Sequence, residues 1–152
     1  MQTTLDFPKR INFINKSDNE DPQFQTKGSA GFDFRANIDK PIMLESGEFK
    51  VIPTGLYFEI PKGVELQVRP RSGLAAKSGI TVLNSPGTVD SDYRGEVGVI
   101  LINHSNIGYK IKPGERIAQG VFNDVTPTQF RKMTILSETT RGAGGFGSTG
   151  RK

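Results

Sequence analysis

Glycine and proline interrupt this chain every few residues, and that spacing decides which folds are open to it. The 152 residues include 18 glycines and 9 prolines. Both residue types are unfavourable inside helices. No window of about 11 residues places apolar side chains at the roughly 3.6-residue period of an amphipathic helix. A helical bundle is therefore excluded, and the chain must fold from short extended segments joined by turns.

Between the interruptions lie short runs of alternating apolar or β-branched residues, which are typical of strands. In Leu56–Ile60 and Val64–Val68 every second residue is apolar, and Pro61-Lys62-Gly63 between them predicts the turn of a β-hairpin. The run Val97–Ile102 is almost continuously apolar and predicts a strand buried on both faces. The other predicted strands are Arg10–Ile14, Phe32–Ala36, Phe49–Ile52, Ile80–Leu83, Ile117–Phe122 and Met133–Leu136.

The remaining segments complete the expected organisation. Ser72–Ser78 has the composition of a short helix, and Gly79 is placed to end it. Ser17–Lys27 is polar and predicts a surface loop. Many short strands with regular turns predict an all-β fold of the sandwich or barrel type. We expect a single β domain over residues 1–137 and a mobile glycine-rich arm over residues 138–152, where Phe146 is almost the only apolar side chain.

The net positive charge is confined to the C-terminal end. Residues 1–130 hold 15 basic and 15 acidic side chains, so the whole formal charge of +4 falls within residues 131–152. A neutral body argues against a broad nucleic-acid-binding face, which needs a basic patch on the folded surface. A small basic tail is better suited to a compact anion.

Missing residue types and patterns exclude further classes of function. The chain has no cysteine and one histidine, His104, so disulfides, thiolate metal sites and histidine clusters are excluded. We interpret His104 as structural. No apolar run approaches the roughly 20 residues of a membrane-spanning helix, and no signal segment is visible. We expect no membrane partner and a cytoplasmic location, or the host cytoplasm for a viral protein.

Two segments combine residue types that bind phosphate. The glycine-rich tail contains Arg141, Ser148 and Thr149 together with Phe146, which can stack on a base. The alternative is a disordered tail without a ligand. Arg71 and Ser72 begin the predicted helix, where free backbone amides attract anions. The alternative there is a Ser72 side chain that caps the helix.

Aspartates supply the candidates for catalysis and metal binding. Asp90 and Asp92 follow a strand, where a carboxylate can act as general base on water while Tyr93 packs on a ligand. The alternative is a turn in which both aspartates cap backbone amides. Asp33 falls within an apolar strand pattern, where a carboxylate is costly unless it is paired, hydrogen-bonded or near a metal. The alternative is that Asp33 faces solvent or pairs with an arginine.

Five segments taken together resemble the five ordered motifs of the homotrimeric dUTPases, over residues from about 28 to 150. They are Ala30–Ala36, Arg71–Ala75, Gly87–Gly95, Gly114–Gln119 and Arg141–Gly150. The resemblance implies a jelly-roll-like subunit in a homotrimer, with active sites shared between subunits and each closed by the C-terminal arm of a neighbour. It also implies Mg²⁺-assisted hydrolysis of dUTP to dUMP and pyrophosphate, which lowers dUTP and supplies dUMP for thymidylate synthesis.

The same resemblance implies a role for each site residue. Asp90 would deprotonate the water that attacks the α-phosphorus, Tyr93 would exclude a 2′-hydroxyl, and Asp33 would hold Mg²⁺ through water. Arg141 would act as an arginine finger. The implied substrate contacts are Asn84, Pro86, Thr88, Val89 and Gly98 around the nucleoside, Arg71, Ser72, Gly73 and Gln119 on the phosphates, and Phe146, Gly147, Ser148 and Thr149 from the arm.

Two other functions are possible on such a scaffold. A dCTP deaminase of the same superfamily needs a glutamate near the base. Glu96 is the only candidate in the hairpin Asn84–Gly98, which would contact the base. A nucleotide-dependent binding protein without catalysis is the second. The Asp90 segment and the intact arm favour the hydrolase.

Overall fold

The computed structural model describes residues 8–150, which contain ten strands and one helix. The strands are β1 Asn12–Asn15, β2 Phe32–Arg35, β3 Ile42–Leu44, β4 Phe49–Glu59, β5 Val64–Arg69, β6 Ile80–Val82, β7 Gly87–Val89, β8 Glu96–Asn103, β9 Tyr109–Ile111 and β10 Arg116–Asp124. The helix α1 is Ser72–Ser78. Helix α1 has the predicted bounds, and Gly79 ends it at φ 64°, a left-handed conformation that glycine adopts without strain. No helix in this part of the chain is long and apolar enough to cross a membrane.

Two four-stranded antiparallel sheets enclose the core. One has the strand order β1-β4-β8-β6 and the other β2-β10-β5-β7, while β3 and β9 form a separate pair. The alternating residues of these strands meet between the sheets, where Phe34, Ile52, Leu66 and Leu101 are fully buried. Each such side chain contributes about 1.5–3 kcal/mol through its removal from water. The predicted all-β sandwich with one short helix is confirmed.

The predicted hairpin of Leu56–Ile60 with Val64–Val68 is wrong. A turn does form, because the Val64 N–H donates to the Pro61 carbonyl at 3.2 Å. However, β4 lies in the first sheet and β5 in the second, so the chain crosses the sandwich at this turn. Both strands point their apolar faces at the same core, one from each sheet. The alternation of apolar residues is the same whether two strands pair within one sheet or lie in opposite sheets, so it could not distinguish the two arrangements.

Several strand predictions also need correction. Phe49–Ile52 and Leu56–Ile60 belong to one strand, β4, whose register against β8 shifts between Pro53 and Tyr57. Met133–Leu136 forms no strand and is exposed. Strand β8 is not buried on both faces, because Gly98 is exposed and Ile100 half-buried. The three-residue strands β3, β7 and β9 were not predicted, whereas β6, which is equally short, falls within the predicted strand Ile80–Leu83.

Beyond β10 the described chain is solvent-exposed, and residues 139–150 form successive turns. Residues 125–150 contain no helix or strand, and the Ile135 and Leu136 side chains are 80% and 82% exposed. The expected domain boundary at residue 137 stays a prediction. Residues 1–7 of the expected domain and 151–152 of the expected arm lie outside the described residues.

Candidate active site

A pocket of about 200 Å³, here called the β7 pocket, opens where β7 ends and β8 begins. It is lined by Thr88, Val89, Asp90, Tyr93, Glu96, Val97 and Gly98. Strand β7 is held against β5, with Val89 opposite Leu66 and Gly87 opposite Val68. The pocket therefore brings together five of the predicted site residues, and Glu96 and Val97 complete its wall.

The loop after β7 arranges the two most reactive side chains of this pocket. The Asp90 carbonyl accepts the Tyr93 N–H at 3.1 Å, which closes a tight turn and leaves Asp90 exposed at the rim. The Tyr93 hydroxyl donates to the Glu96 carbonyl at 3.0 Å, which ties the ring to the start of β8. Asp90 therefore stands in solvent beside a half-exposed aromatic ring, a placement that suits activation of a water molecule.

Gly98 gives the β7 pocket access to the backbone of β8. A Cβ atom at this position would lie 2.8 Å from Cγ1 of Val51, so a larger residue would displace the Val51 side chain. Without a side chain, the backbone amide and carbonyl around Gly98 remain open to a ligand.

A second pocket of about 570 Å³, here called the α1 pocket, lies beside the residues that precede β7 and α1. It is lined by Gln67, Arg69, Pro70, Ser72, Ser85, Pro86 and Gln119. The Gln119 amide donates to the Pro70 carbonyl at 2.9 Å. Asn84, exposed in the preceding turn, lies beside Gly87. The two pockets share no lining residue, so the predicted contacts fall into two groups within one chain.

Helix α1 begins next to the α1 pocket, and its first turn is open. Arg71 occupies the cap position without a side-chain capping bond, while Ser72 and Gly73 lie exposed in the first turn. The alternative in which the Ser72 side chain caps the helix is wrong. The hydroxyl of Ser72 is consequently available to a ligand.

Asp33 forms ion pairs with two arginines. Its Oδ1 lies 3.0 Å from Nε of Arg71, and its Oδ2 lies 3.4 Å from Nη1 of Arg116. The carboxylate is 18% exposed, and Arg71 also donates to the Arg116 carbonyl at 3.3 Å. The arginine-pair alternative for Asp33 is thus the observed one. Arg116 was missed as a site residue, although it lies within the predicted segment Gly114–Gln119.

A tyrosine and a glutamate lie next to this ion-pair cluster. The Tyr109 hydroxyl donates to the carboxylate of Glu115, which also accepts the Lys112 N–H at 2.9 Å. Burial, and after it the bond to Glu115, raise the pKa of Tyr109 to about 12. Tyr109 therefore remains a neutral donor over the physiological pH range and fixes the residue that precedes Arg116.

The predicted residues of the arm contact neither pocket. Nε of Arg141 donates to the Gly144 carbonyl at 2.8 Å, a bond within the arm itself. The Phe146 ring is fully exposed. Gly147, Ser148 and Thr149 are exposed as well. One chain therefore does not bring Arg141, Phe146 or their neighbours to Asp90.

Comparisons with known proteins agree on one family. The family model for dUTPase matches residues 17–150. A deoxyuridine 5'-triphosphate nucleotidohydrolase of Treponema denticola is 60% identical over 129 residues, which cover 85% of this chain and 90% of that protein. The solved dUTPase of Staphylococcus bacteriophage 80alpha with dUPNHPP is 25% identical at a TM-score of 0.84 and covers 95% of this chain and 100% of its own. A dUTPase variant from phage phi11 of S. aureus, described with a structural Mg(II) ion, is 21% identical at a TM-score of 0.74 and covers 84% of this chain and 98% of its own.

Proposed function

The chain belongs to the dUTPase family, and we propose on that premise that it hydrolyses dUTP to dUMP and pyrophosphate. The observation that carries the proposal is the β7 pocket, where an exposed carboxylate, an aromatic ring and an open backbone meet in about 200 Å³. In a cell this reaction lowers dUTP and supplies dUMP for thymidylate synthesis.

Asp90 is the proposed general base. Its carboxylate takes a proton from water, the oxygen of that water attacks the α-phosphorus, and the bond from the α-phosphorus to the bridging oxygen breaks. The α-phosphate stays on dUMP, and the β- and γ-phosphates leave together as pyrophosphate. The exposed position of Asp90 at the pocket rim supports this role, because both the water and the triphosphate can reach it.

The nucleoside is proposed to lie in the β7 pocket and to reach Asn84 and Pro86 at the edge of the α1 pocket. Uracil would be recognised by the backbone around Gly98 and Pro86, with Asn84 in support, and Thr88 and Val89 would line the site. Tyr93 would pack on the deoxyribose and leave no space for a 2′-hydroxyl. The absence of a side chain at Gly98, where a Cβ atom would meet the Val51 side chain, supports recognition through backbone hydrogen bonds.

The phosphates are proposed to bind at the start of α1. Arg71, Ser72, Gly73 and Gln119 would contact them, and the open first turn of α1 supports this placement. Arg116 joins this group on the evidence of its ion pair with Asp33. A guanidinium beside a triphosphate stabilises charge that develops as the bond to the leaving group breaks.

Magnesium is the proposed cofactor, bound chiefly to the substrate. Residues 8–150 contain no group of three or more His, Asp or Glu that could hold a metal ion. The half-buried carboxylate of Asp33 is the candidate donor, and it would hold Mg²⁺ through the water of the ion in place of an ion pair with Arg71 or Arg116. This ion keeps much of its hydration shell and takes substrate phosphate oxygens. When bound, Mg²⁺ would neutralise triphosphate charge.

A homotrimer with shared sites is the proposed assembly. Phe49 and Val51 project from β4 with 58% and 65% of their surface exposed, next to half-buried Ile100 of β8. Phe130, in the segment after β10, is also completely exposed. The contiguous apolar surface of Phe49, Val51 and Ile100 indicates a protein interface. A neighbouring subunit would cover it and bring Arg141, Phe146, Gly147, Ser148 and Thr149 to the substrate.

The deaminase alternative is disfavoured by one contact. The Glu96 carboxylate, its only candidate base, already accepts the Gly55 N–H at 2.8 Å.

Assays of dUTP, dTTP, dCTP and UTP with Mg²⁺ should release pyrophosphate rapidly from dUTP alone. Ammonia from dCTP would establish the deaminase instead, and nucleotide binding without any product would favour the binding protein.

A further inference from the structure

We propose that Glu96 is a positioning residue that fixes the Tyr93 ring and thereby sets the preference for deoxyribose over ribose. The inference rests on the proposed role of Tyr93 in the hydrolysis of dUTP. Glu96 acts through its backbone carbonyl on one side and through its carboxylate on the other.

The carbonyl of Glu96 orients the ring directly. It accepts the Tyr93 hydroxyl at 3.0 Å, although Tyr93 is 46% exposed and would otherwise rotate freely. Gly95 makes this approach possible, because a Cβ atom there would lie 2.4 Å from the Tyr93 hydroxyl oxygen and 2.5 Å from Cζ. The ring therefore lies across a residue that has no side chain.

Two anchors on β4 hold the backbone on both sides of that carbonyl. The Glu96 carboxylate accepts the Gly55 N–H at 2.8 Å. The buried Thr54 hydroxyl donates to the Val97 carbonyl at 2.6 Å. Neither contact belongs to the regular strand ladder, and both come from the segment where the register between β4 and β8 shifts.

Gly55 gives this irregular segment its shape. Its φ of +70° lies in the left-handed region, and a Cβ atom would come within 2.8 Å of Cβ of Ser17. The Gly55 carbonyl accepts the Lys16 N–H at 2.8 Å, so the bulge is tied to the loop after β1. The Gly55 amide is thereby turned toward Glu96. Contacts therefore run continuously from the loop after β1 through Gly55 and Glu96 to Tyr93.

The chemical consequence concerns the sugar and not the base. A ring that rotates away from the pocket admits a 2′-hydroxyl, so a looser Tyr93 raises activity toward UTP relative to dUTP. Recognition of uracil depends on Asn84, Pro86 and Gly98, and the Glu96 carboxylate, which accepts the Gly55 N–H, contacts none of them. Discrimination between dUTP and dTTP should therefore be unaffected.

Glu96→Ala and Glu96→Gln form a matched pair that tests the inference. Glutamine keeps an oxygen that can accept the Gly55 N–H, while alanine has none. The measured quantity is the kcat/KM for dUTP divided by that for UTP. We expect a fall of about tenfold in Glu96→Ala, the upper end of what loss of an ordinary hydrogen bond costs, and a change of less than about twofold in Glu96→Gln. The dUTP to dTTP ratio should stay constant in both.

Glu59→Ala is the control for loss of an acceptor on the same sheet, because Glu59 accepts the Asn12 amide at 2.6 Å outside the pocket. It should leave the ratio unchanged. If Glu96→Ala does not fold, as judged by circular dichroism, Tyr93→Phe removes the same orienting bond without altering β4 and should lower the ratio.

Some outcomes would overturn the proposal. An unchanged dUTP to UTP ratio in folded Glu96→Ala, or in Tyr93→Phe where the first variant does not fold, refutes the positioning role while dUTP hydrolysis stands. A parental protein that does not hydrolyse dUTP refutes the proposed function, and this inference with it.

Discussion

The buried hydroxyl of Thr54 offers a test in which stability and selectivity must change together. Thr54 is 2% exposed, and its Oγ1 makes two hydrogen bonds. It donates to the Val97 carbonyl at 2.6 Å and accepts the Leu56 N–H at 3.2 Å. Thr54→Val replaces the hydroxyl by a methyl group of similar size. The variant therefore removes both bonds while the shape of the site stays nearly the same.

The expected cost follows from the groups left without partners. A buried carbonyl or amide that loses its hydrogen bond costs about 1–3 kcal/mol, and the added methyl group returns up to about 0.8 kcal/mol through burial. We expect a net loss of about 2 kcal/mol in the free energy of unfolding. For a chain of this length that corresponds to a fall in Tm of roughly 4–8 °C.

Thr54→Ser is the matched control, because it keeps the hydroxyl and removes the methyl group. It should lose about 1 kcal/mol through reduced burial and keep the parental dUTP to UTP ratio, whereas Thr54→Val should lower that ratio. Denaturant unfolding must be followed at one protomer concentration, since assembly adds to stability. A valine variant as stable as the serine variant, or one with the parental ratio, would refute the reasoning.

Four further perturbations test other parts of the molecule. Asp90→Asn should lower kcat by about 10²–10⁴-fold and still bind dUTP in calorimetry, because an amide cannot accept the proton of water; parental turnover would exclude Asp90 as the base. Deleting residues 139–152 should abolish most turnover without changing the sedimentation of the assembly, and full activity would contradict the role of the arm. Val51→Asp should shift sedimentation toward monomer, because a charge enters an apolar face; an unchanged oligomer would move the interface elsewhere. The pKa of Tyr109 is raised to about 12 from 10.0, so its contribution to stability is complete below pH 10 and is lost as pH rises toward 12. Tyr109→Phe should remove the last step of the tyrosinate absorbance titration. If that step persists in the variant, it does not come from Tyr109.

Local features were predictable because the residues that create them are close in sequence. Helix α1 was predicted over its full length from the composition of Ser72–Ser78 and the glycine after it. Thr88, Val89, Asp90 and Tyr93 lie within six positions, so one strand end and one turn suffice to bring them into the same pocket. The alternation that predicted most strands of the sandwich likewise acts over a few residues.

Long-range register accounts for what the sequence did not show. Arg116 meets Asp33 because β10 pairs with β2, with Gln119 opposite Asp33, and nothing local to either residue specifies that pairing. The contact of Glu96 with Gly55 likewise depends on the register shift of β4 against β8. The hairpin of β4 with β5 was predicted wrongly for the same reason. The turn between the two strands was predicted correctly, but the assignment of both strands to one sheet was not.

The division of the site into separate pockets has a physical consequence for the proposed trimer. The β7 pocket and the α1 pocket have no lining residue in common, and the arm touches neither. A monomer would therefore bind each part of dUTP weakly, and only an assembly that seats the arm over both pockets would hold nucleoside and triphosphate at once. Activity should then rise and fall with the oligomer, which makes enzyme dilution across the assembly equilibrium a direct measure of whether the site is shared.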